Sequence, residues 1–387
     1  MMSKLSYLAF LLLLLACGGG EEPVRAEEDN GGSTPGELPL PDIDIYLTIT
    51  DSIGIELGDS NYVFGMPVLA EFTPDGNIAV LDAQKMGIFF YTPEGEYIRT
   101  VGREGSGPGE FLMPTSFGFM PEGGLVVADA MAGKVIFFDS TYEYSSDVSG
   151  FFPSPPVTIR GVEGGAFAGL QSVFEQNDDG MFLGFKLVRW EGEDFEETVE
   201  YFATFNPFDP TDIAAAIQEN MFFFTSSPDG RVYRTPYSSK EFIIEGYMPD
   251  GTSFLYIEDE DYQKVRKSDE EIQIEIDLVN SRLAASGMPP GSFEWEPDPY
   301  RASTFGLFID AEDRIWVRLG YYREVVFRIY DQDGNLQLNA MLDYPGDFRD
   351  VETWQVIVNQ YGILAFDPAS EDYPRIFVLE VTEGLRD

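Results

Sequence analysis

The stretch TPDGNIAVLDAQKMGIFFYTPEGEYIRTVG, Thr73 to Gly102, decides the fold of this chain. A polar turn carrying Asp and Gly opens it. A short apolar strand follows, then a second strand, another Gly-bearing turn and a third strand. Gly and Asp at fixed offsets between short apolar runs are the signature of antiparallel hairpins. The same theme returns as MPEGGLVVADAMAGKVIFFDSTYEYSSDVSG from Met120 and SPDGRVYRTPYSSKEFIIEGYMPDGTSFLYI from Ser227. It returns again as DAEDRIWVRLGYYREVVFRIYDQDGNLQLNAML from Asp310 and NQYGILAFDPASEDYPRIFVLEV from Asn359. A weaker copy is NDDGMFLGFKLVRWEGEDFEETVEYFATF from Asn177.

Aligning the first strands places Ile78, Leu125, Met181, Val232, Ile315 and Ile363 at equivalent positions, at spacings of 47, 56, 51, 83 and 48. Units of short strands at this interval are the period of a propeller-like array. The long interval holds one extra element, SDEEIQIEIDLVNSRLAASGMPP from Ser268. Ser268 with Glu271 forms a capping box, and Ile272, Ile276, Val279 and Leu283 share one helical face. Gly287 and Pro289 end the helix. Ile272, Ile274 and Ile276 also alternate as a strand would. A shorter helix is expected over Thr211 to Glu219.

Each copy supplies three strands of a four-stranded blade. The innermost strand precedes the turn, as in MPVLAEF (Met66 to Phe72) and FGLFI (Phe305 to Ile309). The reading is therefore an all-β, six-bladed β-propeller of four-stranded antiparallel blades with one helical insertion near residues 268–287. The last copy ends at RIFVLEV (Arg375 to Val381) with no outer strand left, while IDIYLTI (Ile43 to Ile49) stands unused before the first. That N-terminal strand is expected to close the last blade, removing the edges an open ring would expose. With 32 Phe and 20 Tyr, the composition favours pleated, half-buried surfaces.

The order of turn, NIAVLD, GIFFYTPEGEYIRTVG and GREGSGPGEFLMP resembles the NHL-type six-bladed β-propellers, in particular the lipoprotein propellers of Bacteroidetes-type bacteria. The resemblance is strongest over Val63 to Asp139 and extends in architecture over residues 42–382. It implies a fold and little chemistry.

The first twenty residues point to an address. Lys4 gives a positive n-region, Leu8 to Leu15 an apolar run too short to span a bilayer, and Leu14-Leu15-Ala16-Cys17 follows. This resembles the lipobox of bacterial lipoproteins, which implies cleavage before a lipidated Cys17. An ordinary secretory signal or an anchor helix is the alternative. Gly18 after the cysteine implies an outer-membrane or cell-surface location, since inner-membrane retention uses Asp there. The domain reading is a signal peptide over residues 1–16, a Gly-, Pro- and Glu-rich tether over residues 17–41 and the propeller over residues 42–387.

Composition excludes more than it assigns. The chain has no His and only one Cys. That removes histidine general acid–base catalysis, Ser-His-Asp and Cys-His nucleophiles, His-ligated metals, thiolate clusters and intrachain disulfides. Acidic residues number 68 against 24 Lys and Arg, for a net charge of −44. Such a surface opposes nucleic acid and polyphosphate, and it is either a solvated coat suited to salt or a cation-collecting field.

VGREGSGPGEF (Val101 to Phe111) looks like a phosphate loop, but lacks Lys-Ser/Thr after its last glycine, and Pro114 interrupts the helix such a loop needs. Gly102, Gly105, Gly107, Pro108, Gly109 and Phe111 are instead expected to build the connector from the outer strand of blade one to the inner strand of blade two. Arg103 and Glu110 would pair across it. YPGDF (Tyr344 to Phe348) is a fainter copy. DQDGN (Asp331 to Asn335) and NDDG (Asn177 to Gly180) read as hairpin turns; from Asp331, the twelfth position of a calcium loop is Leu342.

Two functional readings stay open, with no catalytic residue assigned. The first is a lipid-anchored envelope module that binds or scaffolds a protein or glycan partner through a face or the channel, without cofactor, nucleotide or nucleic acid. The second is a lactonase-like hydrolase. By resemblance, such propellers hold Ca2+ on the axis with carboxylates; Asp82, Asp129 and Asp367, which end equivalent strands, are its candidate ligands. Capping of strand ends and loop amides is the competing role for these three.

Overall fold

The computed structural model describes residues 38–177, 180–192, 194–207, 220–285, 297–346, 351, 353–367 and 373–383. Strand β1 (Ile45–Ile53) comes first. Blade one is β2 (Pro67–Phe72), β3 (Ile78–Asp82), β4 (Gly87–Tyr91) and β5 (Tyr97–Val101). Blade two is β6 (Pro114–Phe119), β7 (Leu125–Asp129), β8 (Lys134–Phe138) and β9 (Tyr144–Ser149). Blade three is β10 (Pro156–Val162), β11 (Ala166–Asn177), β12 (Gly180–Glu191) and β13 (Glu196–Pro207). Blade four is β14 (Phe222–Ser226), β15 (Val232–Pro236), β16 (Ile243–Tyr247) and β17 (Ser253–Glu258). Helix α1 (Asp269–Ala285) intervenes. Blade five is β18 (Thr304–Ile309), β19 (Ile315–Leu319), β20 (Val326–Tyr330) and β21 (Leu336–Asp343). Blade six has β22 (Gln355–Asn359), β23 (Gly362–Phe366) and β24 (Ile376–Thr382).

The second and third strands of the early blades are continuous apolar runs because both faces of each blade are covered by neighbours. Every residue of IAVLD in β3 and of GIFFY in β4 is buried. The outer strands β5 and β9 face water on one side and are mostly polar. Apolar clusters fill the seams between blades. Leu81, Phe90 and Phe111 meet Phe117, Val127 and Phe138 between blades one and two. Ile78 and Tyr91 meet Leu364 and Phe366 between blades one and six.

Blade six is completed by β1, which pairs antiparallel with β24, Leu47 opposite Val381. The closing strand runs to Ile53, beyond the expected Ile49. It also pairs in parallel with β21, Leu47 opposite Leu342, so blades five and six form one eight-stranded sheet. Leu47 is fully buried between them.

One alignment needs correction. Met181 lies in the third strand of blade three, not the second. Its second strand starts at Ala166, after the positive-φ pair Gly164-Gly165. Blade three has strands of twelve residues, so NDDG marks the turn between its second and third strands and the expected phase slips by one strand. Residues 178 and 179 of that turn, the helix expected over 211–219, and Asp347 and Phe348 of YPGDF lie outside the described residues.

Helix α1 begins at the expected box. Ser268 Oγ accepts the Glu271 amide at 3.3 Å, and Glu271 Oε2 accepts the Ser268 amide at 2.8 Å. Arg301, in the segment before blade five, pairs with Glu271 at 2.5 Å and ties the insert to the ring. Among the described residues, no helix is long and apolar enough to cross a membrane.

Candidate functional site

The glycine-rich connector is folded around one aromatic ring. Phe111 is fully buried in the seam between blades one and two. Its amide donates to Arg103 O at 2.8 Å, and its carbonyl accepts from Gly105 N at 3.0 Å. Gly102 has φ +78°, and a Cβ there would stand 2.0 Å from the Phe111 ring, so this position admits no side chain. Pro108 and Gly109 form the corner of a turn closed by Glu110 N to Gly107 O at 3.1 Å. Glu110 Oε2 accepts the Gly107 amide at 2.8 Å, and its Oε1 pairs with Arg103 at 2.7 Å. Those two contacts, the amide first, hold the Glu110 carboxyl below its ordinary value. An amide that an anion would need is thus occupied by the loop's own carboxylate.

The three aspartates sit at matching places, each engaged within its own blade. Asp82 is fully buried and accepts four amides, from Gly65 (2.7 Å), Met66 (3.1 Å), Gln84 (3.0 Å) and Lys85 (3.1 Å). Asp129, equally buried, accepts Leu112 N (2.7 Å), Met113 N (3.0 Å) and Ala132 N (3.0 Å). Asp367 accepts the Thr353 hydroxyl at 3.0 Å. Each takes donors from the segment entering its blade's inner strand. The described residues include no group of three or more acidic or Cys side chains placed to hold a metal. This donor set does not fit an axial calcium ion.

A different constellation lies on the axis. The inner strands β2, β6, β10, β14, β18 and β22 surround a cavity of about 230 Å³. Phe119, Phe223, Phe224, Phe305, Phe308 and Ile357 supply its apolar wall, and Thr225, Ser226, Gln355 and Asn359 its polar one. Two charged side chains enter it. Glu71 of β2 and Arg160 of β10 pair at 3.0 Å, reaching past β6 from blade one to blade three. Gly118 of β6 makes room: a Cβ there would lie 2.9 Å from Ile159 O and 3.1 Å from Arg160 Cα. Arg160 Nη1 also donates to Phe117 O at 3.2 Å and Ile159 O at 3.4 Å. Burial pushes the Glu71 carboxyl above its ordinary value, with Arg160 opposing.

This cavity lies at the end of the ring opposite Asp82. In blade one, Asp82 pairs with Pro67 at the start of β2 while Glu71 pairs with Ala79 near its end. Four residues of strand separate them, about 13 Å. The cavity therefore faces the hairpin turns that link first and second strands.

A smaller cleft of about 60 Å³ lies between α1 and blade five. Ion pairs line it, Lys267 with Glu275 at 2.6 Å and Arg301 with Glu271 at 2.5 Å, and they fasten the insert.

Sequence reading missed Glu71 and Arg160. Each is a single charge inside an otherwise apolar inner strand, PVLAEF and PVTIRGV. The slipped phase of the third copy left β10 without a role, so Arg160 had no partner to be matched with.

Comparison with known proteins supports the fold. A family model described as a 6-bladed beta-propeller, DUF5128, matches residues 64–151. The chain is similar in structure to a member of the DUF4221 family from Bacteroides vulgatus, at 11% identity and a TM-score of 0.51, covering 89% of this chain and 100% of that one. A putative exported protein from Bacteroides fragilis aligns at 11% identity and a TM-score of 0.43, over 88% of this chain and 96% of that one. Regucalcin, a calcium-binding protein from Agrobacterium tumefaciens, aligns at 12% and 0.43, over 88% and 97%. No curated protein sequence matches. At 11% identity the likeness to the DUF4221 member is one of fold alone.

Proposed function

We propose that this chain is an exported, lipid-anchored propeller of the bacterial envelope, held to the outer membrane through Cys17, and that it binds a small ligand in its axial cavity. One observation carries the binding reading: an axial cavity with an aromatic wall and a polar one, into which a single ion pair projects. Apolar walls with a few convergent polar groups are the usual composition of a ligand site. The engagement of Asp82, Asp129 and Asp367 with their own loops weighs against hydrolysis on an axial metal. A diacylated Cys17 with the tether behind it would anchor the ring stably while leaving both faces accessible.

The test is a saturation-transfer NMR screen of single-ring fragments of neutral, anionic, cationic and zwitterionic character. It compares the wild type with Thr225→Trp, a half-buried cavity position filled by a larger ring. Fragments that bind the wild type and are lost in the variant support the cavity. Fragments retained by the filled variant, or no binders at all, refute it.

A further inference from the structure

The ion pair leaves hydrogen-bonding capacity that the protein does not use. Glu71 is only 7% exposed. An ionised carboxylate offers about four lone-pair sites. Among the described residues its side chain takes one partner, the Nη2 of Arg160. Arg160 engages Glu71, Phe117 O and Ile159 O, which uses three of a guanidinium's roughly five N–H groups. Both side chains line the cavity. A buried carboxylate with spare acceptors beside a partly exposed guanidinium with spare donors offers a ligand both kinds of hydrogen-bonding group.

Charge narrows what can meet them. Glu71 and Arg160 cancel one another. A ligand with a single charge would leave the cavity charged, whichever sign it carried. A ligand with both charges leaves it neutral, since each end finds its counter-ion. The entrance favours the positive end. The turns between first and second strands carry exposed Asp75, Glu122, Glu163, Asp229 and Glu312 on the face towards which the cavity lies; Asp229 and Glu312 pair with Arg231 and Arg314 of the same turns, and the rim stays acidic on balance. Such a rim raises the local concentration of cationic groups. Size sets the last limit: at about 230 Å³ the cavity lies below the roughly 300–1,000 Å³ of drug-sized ligand sites. That suits a ligand the size of one amino acid. Phe119, Phe223, Phe305 and Phe308 offer an apolar wall to its side chain.

We propose that the axial cavity is a receptor for a small zwitterion, an α-amino acid with an apolar or aromatic side chain, its ammonium on Glu71 and its carboxylate on Arg160. This rests on the reading of the cavity as a ligand site. The ligand opens the pair without net transfer of charge, and no covalent step is involved.

The experiment titrates the full protein with four probes by calorimetry: L-phenylalanine, 2-phenylethylamine, 3-phenylpropionate and 2-phenylethanol. L-Phenylalanine is expected to bind at least tenfold more tightly than any of the other three. Glu71→Gln keeps the shape and removes the charge, and is expected to weaken L-phenylalanine at least tenfold while leaving 2-phenylethanol unchanged. Equal affinities for all four, or tighter binding of a singly charged probe, overturn the zwitterion and leave the cavity as a ligand site. Failure of all four to bind also overturns the zwitterion, and the fragment screen with Thr225→Trp then judges the cavity separately. Should Glu71→Gln not fold, the order of the four probes on the wild type decides.

Discussion

Leu47→Ala tests the closure of the ring. Leu47 sits on β1, fully buried between β21 and β24, in the cluster that includes Phe327, Ala340, Leu342 and Leu379. The substitution removes three carbon groups at about 0.8 kcal/mol each. A cavity term is added because two paired strands hold the backbone in place and limit collapse. The expected loss is about 3–4 kcal/mol. For a domain of this size the unfolding entropy is about 0.7 kcal/mol per kelvin, so Tm should fall by about 4–6 °C. Urea unfolding followed by tryptophan fluorescence and far-ultraviolet circular dichroism gives the energy, and calorimetry the temperature. Ser52→Ala, at an exposed position on the same strand, is the control and should stay within about 0.5 kcal/mol. The two optical probes should report one coincident transition, since β1 joins blades five and six into one sheet. A loss below about 1 kcal/mol, or a separate early transition of the seam with the other blades intact, would show that β1 does not lock the ring.

Other outcomes follow from the same geometry. Phe111→Ala empties the seam between blades one and two and should cost about 3–5 kcal/mol by urea unfolding; a neutral result would mean that the glycine connector is not anchored there. Glu71→Gln should remove a pH dependence of stability. Because burial raises the folded pKa of Glu71, the unfolded chain releases its proton first, and this group's contribution falls as pH rises from the ordinary value of 4.5 through the raised one. The wild-type profile minus that of the variant should slope downward across that window; a flat or upward difference contradicts the burial argument. Cys17→Ser should move the protein from the membrane to the soluble fraction of cells expressing it; continued membrane attachment would refute the lipid anchor.

Most of the fold was legible because its signals are local. Glycine turns at matching offsets, buried runs such as IAVLD and the unpaired IDIYLTI segment each follow from backbone rules that operate within a few residues. The capping box of Ser268 and Glu271 is equally local. Blade three was misaligned because its twelve-residue strands break the period, and its true first turn, at Gly164-Gly165, carries weaker spacing cues. The parallel pairing of β1 with β21 had no sequence signal, since it depends on how two adjacent blades splay. The site was less legible. Asp82, Asp129 and Asp367 stand out because they repeat, and repetition marked architecture. Glu71 and Arg160 occur once each, 89 residues apart. Only the circular arrangement brings them together, across a strand whose Gly118 lets the backbones close in.

The most direct test of the account is a crystal structure of the protein soaked with L-phenylalanine at the axis. The account predicts density in the cavity walled by Phe119, Phe223, Phe305 and Phe308, touching Glu71 and Arg160. A cavity holding only water around an intact Glu71–Arg160 pair, with the ligand elsewhere or absent at saturating concentration, would contradict it.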